Sequence, residues 1–211
     1  MTANTFGLHL STTSNIIHQV CRAIVHVLGP KYIKLPKTYD KMRQKSAEFQ
    51  GKYGLQQAFG CIDETHVPTK LPQAVCDFRG IFMDIDCRWP GSVNDAKVFA
   101  NSKLNKIMCC NNNEEVLFNT ILRPARNPVE CAFGRLKARW RFLSKKVELK
   151  LEHIPTVVYA CFTLHNLCEI NNCYVDPHDV KQQCILHQEK EERYRDAPDP
   201  VFSINLDKGA V

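Results

Sequence analysis

The sequence predicts a mixed α/β layer fold. Three observations carry that expectation. An apolar run at 58–63 ends on a carboxylate, two further runs of strand character follow at 73–78 and 81–86, and long helical patterns come after them at 128–143 and 154–168. Strands grouped before helices, with connections long enough to cross over, are the pattern of a sheet covered by helices.

Taken in order, residues 12–28 read as one helix. Ile16, Ile17, Val20, Cys21, Ile24 and Val27 or Leu28 recur at three and four residues, with Ser11 or Thr12 as N-cap. The lead-in at 6–11 resembles the turn of a helix-turn-helix whose first helix would precede Met1. A short polar helix follows at 38–50, broken by Gly51 and Gly54. In the third strand Ile81, Met83 and Ile85 alternate with Asp84 and Asp86, and Arg79-Gly80 supplies the turn before it. After Trp89-Pro90-Gly91 a helix is expected from Ser92, capped by Ser92 and Asp95. Residues 109–119 read as a loop, and the polar, acidic stretch from 171 as weakly ordered. The chain therefore divides into a helical segment at 1–55, a main domain at 56–170 and a tail at 171–211.

Charge is distributed unevenly. The net +6 resolves into +4 over 1–100 (12 basic, 8 acidic), +7 over 101–150 (11 and 4) and −5 over 151–211 (5 and 10). A basic middle segment suits a phosphate backbone or a solvated face. No run of 18 apolar residues suggests a membrane-spanning helix, and no secretory signal is visible. Eleven cysteines, odd in number and without a CxxC pair, read as reduced thiols packed as small apolar groups. Cys161, His165 and Cys168 share a helical face, which a buried surface explains as well as a zinc site does.

The helix expected from Pro128 separates two surfaces. Val129, Ala132, Phe133, Leu136, Trp140 and Leu143 form an apolar stripe, while Arg135, Lys137, Arg139 and Arg141 lie around the other side. The stretch 123–146 holds eight basic residues against the single acid Glu130. Glu130 has two readings: third position of a helix capped by Asn127, or a metal ligand beside cations that hold DNA.

Four segments then stand in a telling order. They are GCIDETHVP, FRGIFMDIDCRWPGSVNDAKVFANS, ARNPVECAFGRLKARWRFL and ACFTLHNLCE. Together they resemble PIF/Harbinger-type DDE transposases and their domesticated nuclease relatives. The resemblance implies an RNase H-like core, with Asp63 as first catalytic carboxylate and Glu130 as last. It implies that both carboxylates hold Mg²⁺ (or Mn²⁺), whose oxygen-ligand chemistry activates a water or 3′-hydroxyl during strand cleavage. It gives His66 a supporting role, and DNA as substrate, a Myb-like DNA-binding protein as partner and the nucleus as compartment.

The chain departs from that pattern at one point that matters. The family's second catalytic aspartate lies in a Gly-Asp-x-x-Tyr-Pro motif, yet no aspartate occurs from 96 to 175. Asp95 belongs to a different motif and fits the capping box, and Glu114 and Glu115 stand in a polar stretch. The leading expectation is a transposase-derived, DDE-nuclease-like protein that binds DNA and is impaired in cleavage. The alternatives are an active endonuclease using Asp84, Asp86 or Asp95, a DNA-binding adaptor without catalysis, and a shortened chain that does not fold stably.

Overall fold

The structure, a computed structural model, describes residues 7, 9–54, 58–65, 67, 72–87, 115–145 and 150–195. Helix α1 (Leu10–Val27), the single turn α2 (Gly29–Tyr32) and α3 (Tyr39–Tyr53) come first. Strands β1 (Cys61–Glu64), β2 (Gln73–Cys76) and β3 (Phe82–Asp86) follow. Then come α4 (Glu115–Arg139), a 3-10 turn at Arg141–Ser144, α5 (Ile154–Ile170) and α6 (Pro177–Arg195). Among the described residues, no helix is long and apolar enough to cross a membrane.

The strands form one antiparallel sheet in the order β1-β2-β3. A tight turn joins β2 to β3: Gly80 N donates to Asp77 O at 2.9 Å. Asp77 Oδ1 accepts from the amides of Arg79 and Ile81, each at 3.0 Å. Gly80 adopts φ +81°, a left-handed conformation that favours glycine, and a Cβ there would stand 3.1 Å from Ala132 Cβ. One sheet face is covered by helices. Cys61, Ala74, Cys76 and Phe82 pack there with Val129, Ala132, Phe133 and Leu136 of α4 and with Val158 and Phe162 of α5. The opposite face carries a smaller cluster of Val75 and Met83 with Leu35, Phe59 and Ile62.

The mixed helix-and-sheet architecture is the one expected, and several boundaries differ. The cap of α1 is His9, whose Nδ1 accepts from Ser11 N, in place of Ser11 or Thr12. Along α1, Cys21 and Ile24 turn inward, whereas Ile16, Ile17, Val20 and Val27 stay exposed. Gly51 lies inside α3, which ends at Gly54 in the left-handed conformation. In β3 a register shift opposite Val75 and Cys76 breaks the alternation, so Met83 joins Val75 on one face while Ile85 lies on the helix-covered face, and the two do not share a side as expected.

Two corrections reach further. Residues 115–119, expected as loop, are helical, and α4 runs through Pro124 and Pro128 instead of starting at Pro128. The helix continues at the cost of the backbone amide that each proline lacks. The tail expected to be weakly ordered contains α6, a 19-residue helix docked on α4. The expected helix at 92 onward, with Asp95, Glu114 and His66, lies outside the described residues, as do parts of the 6–11 lead-in.

Candidate functional site

Asp63 is the third residue of β1 and only 8% exposed. Its Cα partner is Ala74, whose own partner on β3 is Ile85. Directly opposed residues of an antiparallel pair project to the same side. Asp63 therefore shares the helix-covered face with Ala74. Its neighbour Glu64 takes the other face, where Oε1 accepts from Gln73 Nε2 at 3.2 Å. Thr65 N closes the end of the strand by donating to Pro72 O at 3.0 Å.

Glu130 stands in the interior of α4, half-buried, between Val129 and Cys131. The capping role is thereby removed: Asn127 is itself helical, and its Oδ1 accepts from Cys131 Sγ at 3.0 Å. Helix α4 packs against β1 and β2, so the elements bearing Asp63 and Glu130 are in contact. At 3.6 residues per turn, Glu130 and Lys137 share one flank of the stripe that faces the sheet.

The four cations expected on the open side of this helix are divided. Lys137 is 2% exposed, which corrects its placement on the solvated side. Arg139, 11% exposed at its side chain, donates Nη1 to Glu169 Oε1 at 2.6 Å and Nη2 to Cys173 O at 2.9 Å. Arg135 reaches the same carboxylate at 3.1 Å and donates Nη2 to Arg79 O at 3.1 Å. Arg141 stays 62% exposed and pairs with Asp179 of α6 at 2.7 Å. A basic stripe read from sequence thus becomes two inward ion pairs, one buried lysine and one open arginine.

The sequence reading gave His165 no role beyond a zinc alternative with Cys161 and Cys168, and gave Asn166 none. His165 and Asn166 are both fully buried. Asn166 Oδ1 accepts from Phe82 N at 2.8 Å, while Nδ2 donates to Phe82 O at 2.6 Å and Tyr32 O at 2.8 Å. One side chain so fastens α5 to β3 and α2. His165 Nε2 lies 3.2 Å from Gly80 O and Nδ1 3.3 Å from Arg139 Nη1. A carbonyl only accepts and a guanidinium only donates, which fixes the neutral Nε2–H tautomer. Burial foremost, then the Arg139 charge, pushes its pKa down to about 3. The signal for these residues was the ACFTLHNLCE segment: buried polar side chains on an apolar helix must find partners.

Beside Asn127, the thiol of Cys131 is held down at about 6, chiefly by its hydrogen bond with Cys184 of α6, whose own thiol is pushed up by that bond. As for metal, two-ion chemistry needs several converging oxygen donors. Among the described residues no three His, Cys, Asp or Glu side chains come together to hold an ion. Asp63 and Glu130 with their described neighbours thus fall short of the donor set such chemistry requires.

Residues 108–166 match the model of a family described as DDE superfamily endonuclease, a span that includes Glu130, His165 and Asn166 and leaves out Asp63. Human HARBI1, named as a candidate nuclease, is 27% identical over 117 residues, covering 47% of this chain and 33% of that protein. An Arabidopsis thaliana protein named ALP1-like is 24% identical over 247 residues, covering 85% of this chain and 59% of that one. Antagonist of like heterochromatin protein 1, also from Arabidopsis thaliana, is 22% identical over 225 residues, covering 77% and 56%. The chain spans from a third to six-tenths of the length of the curated relatives it matches. No solved structure gives a significant match. Homology to Harbinger transposase-derived nucleases is thus found by the family model and by the curated relatives alike.

Proposed function

From that homology to DDE superfamily endonucleases, we propose that the chain is a nuclear, transposase-derived protein that binds DNA and is impaired in strand cleavage. The observation that carries this reading is the pairing of two features. Asp63 lies on the sheet face covered by α4, the helix that bears Glu130, and the sequence has no aspartate between 96 and 175 to join them. Two of the carboxylates that the motifs call for thus sit on elements in contact, while the third position is missing from the chain.

A reading as an active endonuclease needs another carboxylate on the face of Asp63. Asp84 and Asp86 flank Ile85, the residue in line with Asp63 and Ala74, and their Cα partners are Val75 and Gln73. Alternation along a strand turns both to the side opposite Asp63. That geometry favours the impaired protein over the active one.

The DNA part of the proposal rests on the family's substrate class and the +7 charge of 101–150. Binding led by phosphate contacts tolerates sequence and weakens steeply as salt rises. A mobility-shift series with duplex DNA between 50 and 200 mM salt tests it. Binding that fades across the series is expected, and failure to bind at the lowest salt overturns the proposal.

A further inference from the structure

Between α3, the Asp77–Gly80 turn and α4 lies an open cleft of about 220 Å³, lined among others by Lys52, Tyr53, Phe78, Arg79, Asn127 and Arg135. Among the described residues three cations line it and no carboxylate does. Two of them converge on one ring: Lys52 Nζ stands 5.7 Å from the centroid of Phe78, and the Arg79 guanidinium also stands 5.7 Å from it. Lys52 lies over Tyr53 as well, at 5.5 Å. Cations seated on aromatic faces lose some rotamer freedom, which concentrates their charge at one place.

Two nearby acids, Asp77 and Glu169, are engaged behind the cleft, while Glu48 stands one helical turn before Lys52 on α3 with no ion pair to it among the described residues. Asp77, 1% exposed, takes Lys45 at 2.9 Å and two backbone amides, and comes no nearer to Arg79 than 3.7 Å. Glu169 draws Arg135 from α5. Lys52 has no acidic partner among the described residues, and the side chain of Arg79 is 64% exposed. Two open cations and a side-chain amide, with no carboxylate among the described lining residues, suit a phosphate oxyanion. Asn127, Cys131 and Arg135 recur every four residues along α4, which places the cleft on a different flank from Glu130 and Lys137.

We propose that this cleft is a phosphate-binding subsite that seats a backbone phosphate of DNA, away from the Glu130 flank. It rests on the DNA-binding reading above, and the test separates the two. Fluorescence anisotropy of a labelled duplex is followed from 50 to 200 mM salt for the parent, for Lys52→Ala/Arg79→Ala and for Arg141→Ala. Both replaced residues of the double variant are exposed, so the fold is kept. The double variant is expected to bind more weakly and to lower the salt slope by about two, one unit for each lost contact. The Arg141 variant is expected to change less. Alkylation of Cys131, mapped by mass spectrometry, is expected to slow when the duplex is bound, because its thiol lines the same cleft.

A parent that binds DNA with a double variant of equal affinity and slope overturns the cleft and leaves the DNA reading standing. A parent that ignores DNA but binds inorganic phosphate or a mononucleotide through Lys52 and Arg79 overturns the nucleic-acid source. Binding of none of these probes overturns both.

Discussion

His165 shows how a buried polar residue can make folding depend on pH. In the folded chain its imidazole donates to Gly80 O, and burial foremost, then the facing Arg139 guanidinium, lowers its pKa to about 3 against that bond. In the unfolded chain it titrates near the ordinary value of about 6.5. The folded pKa is the lower one, so this contribution is full above 6.5 and is lost as pH falls from there towards 3. Between pH 7.5 and 5 the loss is about 2 kcal/mol, at about 1.4 kcal/mol for each unit below the unfolded pKa. Urea melts at those two pH values test this in the parent and in His165→Gln, whose amide keeps one donor and one acceptor. The variant is expected to lose most of the slope, and an unchanged slope would rule out His165 as its source. Asn166 belongs to the same scale. Its two bonds to Phe82 replace ladder partners at the start of β3, so its loss would strand a buried amide and a buried carbonyl.

At the level of elements, the contact between α4 and α6 depends on Gly134. A Cβ there would meet Cys184 Sγ and stand 3.3 Å from Val180 O, the latter being backbone that cannot rotate away. Arg141–Asp179 and the 2.7 Å bond from Ser144 Oγ to Gln183 Oε1 extend the contact along α6. Gly134→Leu is expected to cost about 1–3 kcal/mol through overpacking. It should also open the segment Pro177–Arg195 to limited proteolysis while the sheet core stays protected. Equal proteolysis of parent and variant would show that α6 is held by something other than this close approach. The same helix pair marks where sequence reading works and where it stops. The stripe of Val129, Ala132, Phe133 and Leu136 was legible because a one-sided apolar period reports the core directly, and all four are fully buried. The start of α4 was not, because Asn127-Pro128 carries the local chemistry of a helix beginning while tertiary packing continues the helix through it. The α6 helix was missed because its composition is polar, and what holds it is a glycine notch and scattered polar contacts. Of the candidate site, motif order proposes Asp63 and Glu130, and what the structure adds is that β1 and α4, which carry them, are in contact. The inward turn of Arg135 and Arg139 was not legible, since their partners Glu169, Arg79 O and Cys173 O lie far away in the chain, and neither was the burial of Lys137.

For the whole molecule, the decisive question is whether a chain with two of the expected carboxylates can cut DNA. Asp63 lies on β1 beneath the helices and Glu130 on the helix that packs there. Strand cleavage by converging carboxylates requires the set to be complete, because the ligands fix both the charge and the line of attack. With no aspartate from 96 to 175, and with Asp84 and Asp86 registered to the other sheet face, the proposed reading has no third carboxylate beside Asp63 among the described residues. Small misplacements of reacting groups cost on the order of a hundredfold in rate, and a missing ligand misplaces more than one group. The expected outcome is therefore no nicking of supercoiled plasmid above background in either Mg²⁺ or Mn²⁺, with the parent, Asp63→Ala and Glu130→Ala indistinguishable. If the proposed DNA binding holds, binding of the same plasmid, measured alongside, should survive in all three, because cations rather than these two carboxylates would meet the phosphates. Nicking by the parent that both substitutions abolish would overturn the impaired reading and place the missing ligand among residues such as Asp95, outside the described part of the chain. Nicking that persists in both variants would trace the activity to a contaminant. Loss of plasmid binding in the two variants would instead mean that Asp63 and Glu130 support the fold on which the cationic surface is built.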